Sequence, residues 1–111
     1  MPRFAILCHD WPTPHWDLLL EDGESLRAWR LHAEPHPGSA GRAEPNADHR
    51  KLYLDYEGTV AGHRGTVTRW AAGEYAALGA DSFELRTPAW HGIFTLRDGR
   101  FRHSPMPPGG A

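Results

Sequence analysis

Twelve glycines and ten prolines punctuate the 111 residues of this chain, about one position in five. Proline removes a backbone donor and glycine weakens any helix it interrupts, so long helices are excluded. What remains is a set of short strands joined by turns. Residues 3–9 read as a first strand. Pro12 and Pro14 mark a tight connection, and residues 15–21 form a second strand rich in Trp and Leu. Asp22-Gly23 is a hairpin signal, returning through a third strand at about 25–32. Residues 33–47 hold Pro35, Pro37, Gly38, Gly41 and Pro45 and are expected to be loop.

Residues 48–57 fit either a strand or a helical turn. A strand is expected over 65–70. Residues 71–80 are weak, with Gly73 and Gly79 bracketing a short helical or turn segment. Strands with apolar centres follow at 81–87 and 91–97, and a second Asp-Gly turn, Asp98-Gly99, leads back through Phe101. Residues 104–111 (SPMPPGGA) read as a disordered tail, leaving one domain over 1–103. About seven strands in so short a chain predict a small, mostly antiparallel β-barrel with short helical turns and a long Pro/Gly-rich loop.

Composition excludes several functions. The net charge of −2 gives no global basic field. No apolar run approaches the ~20 residues needed to span a bilayer, and no basic segment precedes an apolar stretch. A single cysteine, Cys8, rules out a disulfide framework and a multi-Cys zinc site. Its alternation with Phe4 and Ile6 suggests a buried small hydrophobe. The expected setting is cytoplasmic, as a monomer with no membrane partner. Eight histidines are the first chemical hint. A bound metal would draw its ligands from His, Asp and Glu.

Strand periodicity makes HWDLLLE informative. His15, Asp17, Leu19 and Glu21 share one face, and Trp16, Leu18 and Leu20 share the other. His9 ends the neighbouring strand, so two imidazoles and a carboxylate can converge at one sheet edge. Two histidines and a carboxylate with open positions suit manganese, iron or zinc. His49 and Tyr53, four apart, share a face in either a strand or a helical turn. His32, His36, His63, His91 and His103 lack a ligand spacing and read as surface or turn residues. Trp11, Trp16, Trp29, Trp70 and Trp90 read as core and rim packing.

The opening block RFAILCHDWPTPHWDLLLE resembles the 3'-phosphoesterase domain of bacterial end-joining DNA ligase D. In it a strand ends in His-Asp, followed by His-x-Asp and a closing Leu-Glu. His9, Asp10, His15, Asp17 and Glu21 match that spacing, with Trp29 next. A second block follows as His49, Tyr53, Asp55, Tyr56, Glu57 and Gly58. Gly65, Trp70 and the strand from Gly92 to Arg97 complete a resemblance covering residues 3–97.

The resemblance implies a small β-barrel with a crescent-shaped site on one face. It implies a divalent metal, manganese in the first instance and zinc or another ion otherwise, held by His9, His15 and Asp17. The activity implied is removal of a 3'-phosphate or 3'-ribonucleoside from a DNA or RNA end, a hydrolase function in DNA repair by non-homologous end joining. Any end-joining proteins would act in trans. His9, His15, Asp17, His49 and Tyr53 would be catalytic, with His49 contacting phosphate or acting as general acid and Tyr53 as its hydroxyl partner.

Three departures from the family pattern bear on activity. Leu7 stands where the family has Gln, Leu19 where it has Arg, and His32-Ala33-Glu34-Pro35 where it has Pro-Lys-Gly-Pro. Leu19 lies on the face expected to meet phosphate, so a bidentate clamp is missing there. Arg27 or Arg30 on the third strand could substitute in binding substrate. Paired positions summing to 45 put Arg30 opposite His15, whereas a sum of 46 puts Arg27 opposite Leu19. The leading reading is a metal-dependent 3'-phosphoesterase with an impoverished phosphate site. A second is a weakened module that binds nucleic-acid ends or a protein. A third is a cupin-like metalloenzyme acting on a small molecule, from the spacing His-x-Asp-x-x-x-Glu followed by a later His.

Overall fold

The computed structural model describes residues 1–106. Nine strands are joined almost entirely by turns: β1 Arg3–His9, β2 His15–Asp22, β3 Ser25–Leu31, β4 Ala40–Arg50, β5 Gly58–Thr59, β6 Thr66–Ala77, β7 Ser82–Arg86, β8 His91–Arg97 and β9 Arg100–Pro105. Among the described residues the one helical turn is a 3-10 segment at Lys51–Leu54. Every pairing is antiparallel, in the order β1-β2-β3-β4-β9-β8-β7-β6-β5. Pairing of β1 with β6 closes eight of these strands into a barrel, and β5 adds to the outer end of β6.

Alternation divides the apolar residues between two layers. Phe4, Ile6, Leu18, Leu20, Leu31, Phe83, Leu85, Phe94 and Phe101 fill the barrel. Their neighbours Ala5, Leu7, Leu19, Leu26 and Ala28 point outward, where Leu54 of the 3-10 turn and Val67 cover them. One ion pair and one bond from a backbone amide to a carboxylate hold that cover down. Arg3 pairs with Asp55 at 2.6 Å, and Glu57 accepts the backbone N–H of Arg69 at 2.7 Å. The second sequence block therefore works as an anchor as well as a source of site residues.

Strand β1 begins and ends at the expected residues, as does β8, and the expected barrel is present. Several expectations need correction. Much of the expected loop at 33–47 is strand, because β4 runs from Ala40. Beyond Arg42 this strand pairs with β3 alone, so Pro45 sits on a free edge where a missing donor costs little. The weak segment 71–77 continues β6. Gly73 is where β6 passes from β1 to β7, and any Cβ there would run into the Arg86 carbonyl. Ser104 and Pro105 belong to β9, Met106 donates its N–H to the His91 carbonyl, and residues 107–111 of the expected tail lie outside the described residues. Cys8 is only half-buried because it sits at the open end of β1. His103 is fully buried, stacked near Phe94 and Trp90, with its Nδ1–H donated to the Pro35 carbonyl at 2.8 Å. Among the described residues, no helix is long and apolar enough to cross a membrane.

Candidate functional site

The first hairpin sets the site. Its loop is Gly23-Glu24, with Asp22 opposite Ser25, so paired positions sum to 47. Neither expected register holds: Arg30 lies opposite Asp17, and Arg27 lies opposite Leu20. The pleat then separates the two arginines. Arg30 shares the outward face of Asp17. Arg27 faces the other way, its guanidinium 4.8 Å from the Trp29 ring and 5.5 Å from Phe83. Arg27 is thereby removed from the site.

On the outward face His9 is opposite His15 across β1 and β2, as the sheet edge requires. Their rings lie 4.9 Å apart. Asp17 Oδ2 is 3.6 Å from His9 Nδ1, and Asp17 Oδ1 is 3.3 Å from His15 Nε2. One ligand atom from each residue lies within 4.8 Å of the others. Backbone carbonyls set the tautomers. His9 donates Nε2–H to the Arg64 carbonyl at 2.7 Å, and His15 donates Nδ1–H to the Thr13 carbonyl at 2.9 Å. The free lone pairs, His9 Nδ1 and His15 Nε2, therefore turn toward Asp17. His15 Nε2 is buried without a hydrogen-bond partner. Such outer hydrogen bonds orient imidazoles as metal ligands, and the donor set fits a divalent ion. Burial opposes charging of His15, but the Asp17 contact, the Thr13 carbonyl and the Asp17 charge outweigh it, so its pKa is raised.

A cavity of about 220 Å³ opens beside this cluster. His9, Asp17, Arg30, Asn46, His49, Tyr53 and Arg64 all reach it. The structure thus brings His49 and Tyr53 to the same cavity as His9 and Asp17, their rings 5.8 Å apart and edge to face. His49 is on β4 rather than in a helical turn, and it donates Nδ1–H to the Ala47 carbonyl, leaving Nε2 free. Tyr53 projects from the 3-10 turn, itself held by Arg3 and Asp55. Arg30 Nε is buried and unpartnered at the cavity wall.

Asn46 and Arg64 escape sequence reasoning. Alternation puts Asn46 and His49 on opposite faces, but a bulge between Leu26 and Ala28 pairing shifts β4 by one residue and turns both toward the cavity. Arg64 arrives in a turn with Gly62 and His63 at positive φ. That turn is held because Asp10 accepts the Thr66 N–H at 2.7 Å. The Gly-His-Arg-Gly run was the available signal.

Besides Arg27, Leu19 and Glu21 fall outside the cavity. Leu19 is fully buried in the outer apolar layer and does not line the cavity; Leu7 belongs to the same layer and lines the cavity wall. Glu21 lies at the far end of β2, about 20 Å from His15 at strand rise. There it accepts the Arg3 N–H at 3.0 Å and faces Lys51 at 3.3 Å, contacts that lower its pKa. The cupin-like spacing therefore assembles no ligand set. Residues 8–104 match the protein family described as the DNA Ligase D 3'-phosphoesterase domain. A comparison with curated proteins returns no match.

Proposed function

We propose that this chain, which belongs to the DNA Ligase D 3'-phosphoesterase domain family, is a divalent-metal-dependent phosphoesterase acting on 3'-phosphate or 3'-ribonucleotide ends of DNA. The observation that carries this reading is the convergence of two free imidazole lone pairs and a carboxylate beside a cavity that also holds His49, Tyr53 and Arg30. His9, His15 and Asp17 would hold the ion, manganese being the first to test. A divalent ion there would neutralise phosphate charge and make bound water more acidic.

The other roles belong to the chain. Arg30, with an unpartnered Nε at the wall, would bind a phosphate oxygen in place of the absent arginine at position 19. His49 Nε2, free because Nδ1 is engaged by Ala47, would protonate the leaving oxygen or donate to phosphate when charged. Tyr53 would add a hydroxyl donor. The apolar filling at Leu7 and Leu19 favours a second reading, a weakened member that binds ends without turning them over.

Metal content of protein purified without chelator, titration with manganese and a 3'-phosphate oligonucleotide assay test both. Metal binding lost in His15→Ala, with metal-dependent release of phosphate by the wild type, supports the enzyme. Metal binding and DNA binding without turnover support the second reading. Wild-type protein that takes up no divalent ion overturns the proposed centre.

A further inference from the structure

The net charge is −2, yet four of the eleven arginines gather on one outward surface. Arg42 of β4 pairs with Arg100 of β9, and Arg100 pairs with Arg97 of β8. Paired residues project to the same side of a sheet, so these three form one rung. Arg102, two positions along β9, shares that side, opposite Ala40 and Thr95. All four side chains are exposed, while the intervening Ala43, Leu96 and Phe101 point into the barrel. Ala40, Thr95, Arg97, Arg100 and Arg102 line a shallow groove of about 240 Å³. Arg97 lies 3.5 Å from Asp81 and Arg42 lies 3.8 Å from Glu44. Among the described residues, no ion pair involves Arg100 or Arg102.

Like charges directly opposite each other destabilise a sheet. In this rung Asp81 and Glu44 offset that cost at Arg97 and Arg42, while Arg100 between them has no carboxylate partner among the described residues and is left for an external anion. The rung is also continuous with the site. Asp17 pairs with Arg30 and Arg30 with Glu44, and the next outward position on β4 is Arg42. At ~4.8 Å per strand, β4, β9 and β8 lie ~10, ~14 and ~19 Å around the surface from β2. With ~3.4 Å of rise per nucleotide along a strand, that reaches roughly three to six nucleotides from an end held at His9, His15 and Asp17.

We propose that Arg42, Arg97, Arg100 and Arg102 form a track for the phosphodiester backbone of the nucleic acid whose 3' end occupies the site. This rests on the reading of the site as an end-processing centre, but its test needs no turnover. Binding of a labelled single-stranded oligonucleotide and of the matching duplex is measured in chelator across a salt series. Arg100→Gln/Arg102→Gln should weaken binding roughly tenfold at about 50 mM salt. It should also lower the log–log salt slope by about 1.4 for single strands or 1.8 for duplex. Lys51→Gln/Arg86→Gln, which removes the same charge elsewhere, should change affinity less than about twofold. Loss confined to the duplex assigns the track to the paired stem, and loss confined to the single strand assigns it to an unpaired tail. Equal loss in both variant pairs, or none in either, overturns the proposal. If the stripe variant loses binding while wild type shows no metal-dependent turnover, the enzyme reading fails and the track stands.

Discussion

Restoring the family's arginine by Leu19→Arg should unfold the domain rather than repair its phosphate site. Leu19 is fully buried among Ala5, Leu7, Leu26, Ala28, Leu54 and Val67. Removing a buried leucine from such a layer costs about 2–5 kcal/mol. Placing a guanidinium there adds a desolvation cost of several kcal/mol, because the two carboxylates flanking it along that face are placed for other partners, Asp17 between His9 and His15 and Glu21 between the Arg3 N–H and Lys51. The total, roughly 5 kcal/mol or more, is comparable to the whole stability of a small domain. At about 4–8 °C per kcal/mol, Tm should fall by at least ~20 °C. Thermal unfolding by circular dichroism measures this, with Leu19→Met as a volume-conserving control expected to cost less than about 1.5 kcal/mol. A Leu19→Arg protein melting within ~5 °C of wild type, with faster release of 3'-phosphate, would refute the reasoning. It would mean that the side chain reaches the cavity without disrupting the layer beneath.

Arg30→Ala should lower kcat/KM on a 3'-phosphate end by about one to two decades, the worth of one charged hydrogen bond to phosphate, whereas Arg27→Ala, on the opposite face, should leave it unchanged. His49→Ala should lower kcat with metal affinity retained, read by manganese titration alongside turnover. Burial holds the His103 pKa below its ordinary value despite the Pro35 carbonyl. Its unfolded form therefore takes up a proton first, and its contribution to stability is full above about pH 6.5 and lost as pH falls below that. The Tm deficit of His103→Asn relative to wild type should accordingly shrink between about pH 7.5 and 5. Gly73→Ala should destabilise by at least about 1–3 kcal/mol in a denaturant titration, since its Cβ would force β6 from the Arg86 carbonyl.

The linear order of residues was enough to predict a barrel of short antiparallel strands. Alternation in HWDLLLE also put His15 and Asp17 on one face with His9 beside them, because the two-residue period of a strand is a local property. Spacing likewise linked His49 to Tyr53. Tertiary structure decided what alternation cannot carry. The register of the first hairpin depends on which residues form its turn, and Gly23-Glu24 rather than Asp22-Gly23 shifted Arg30 to Asp17 and Arg27 away from it. A bulge in β4 reversed the facing of Asn46 relative to His49. The outer layer around Leu54 turned Leu19 from an expected phosphate neighbour into buried packing, which only the return of the chain over β1 and β2 could reveal. The arginine rung follows the same physics: Arg42, Arg97 and Arg100 lie far apart or out of phase in sequence, and cross-strand pairing alone sets them side by side.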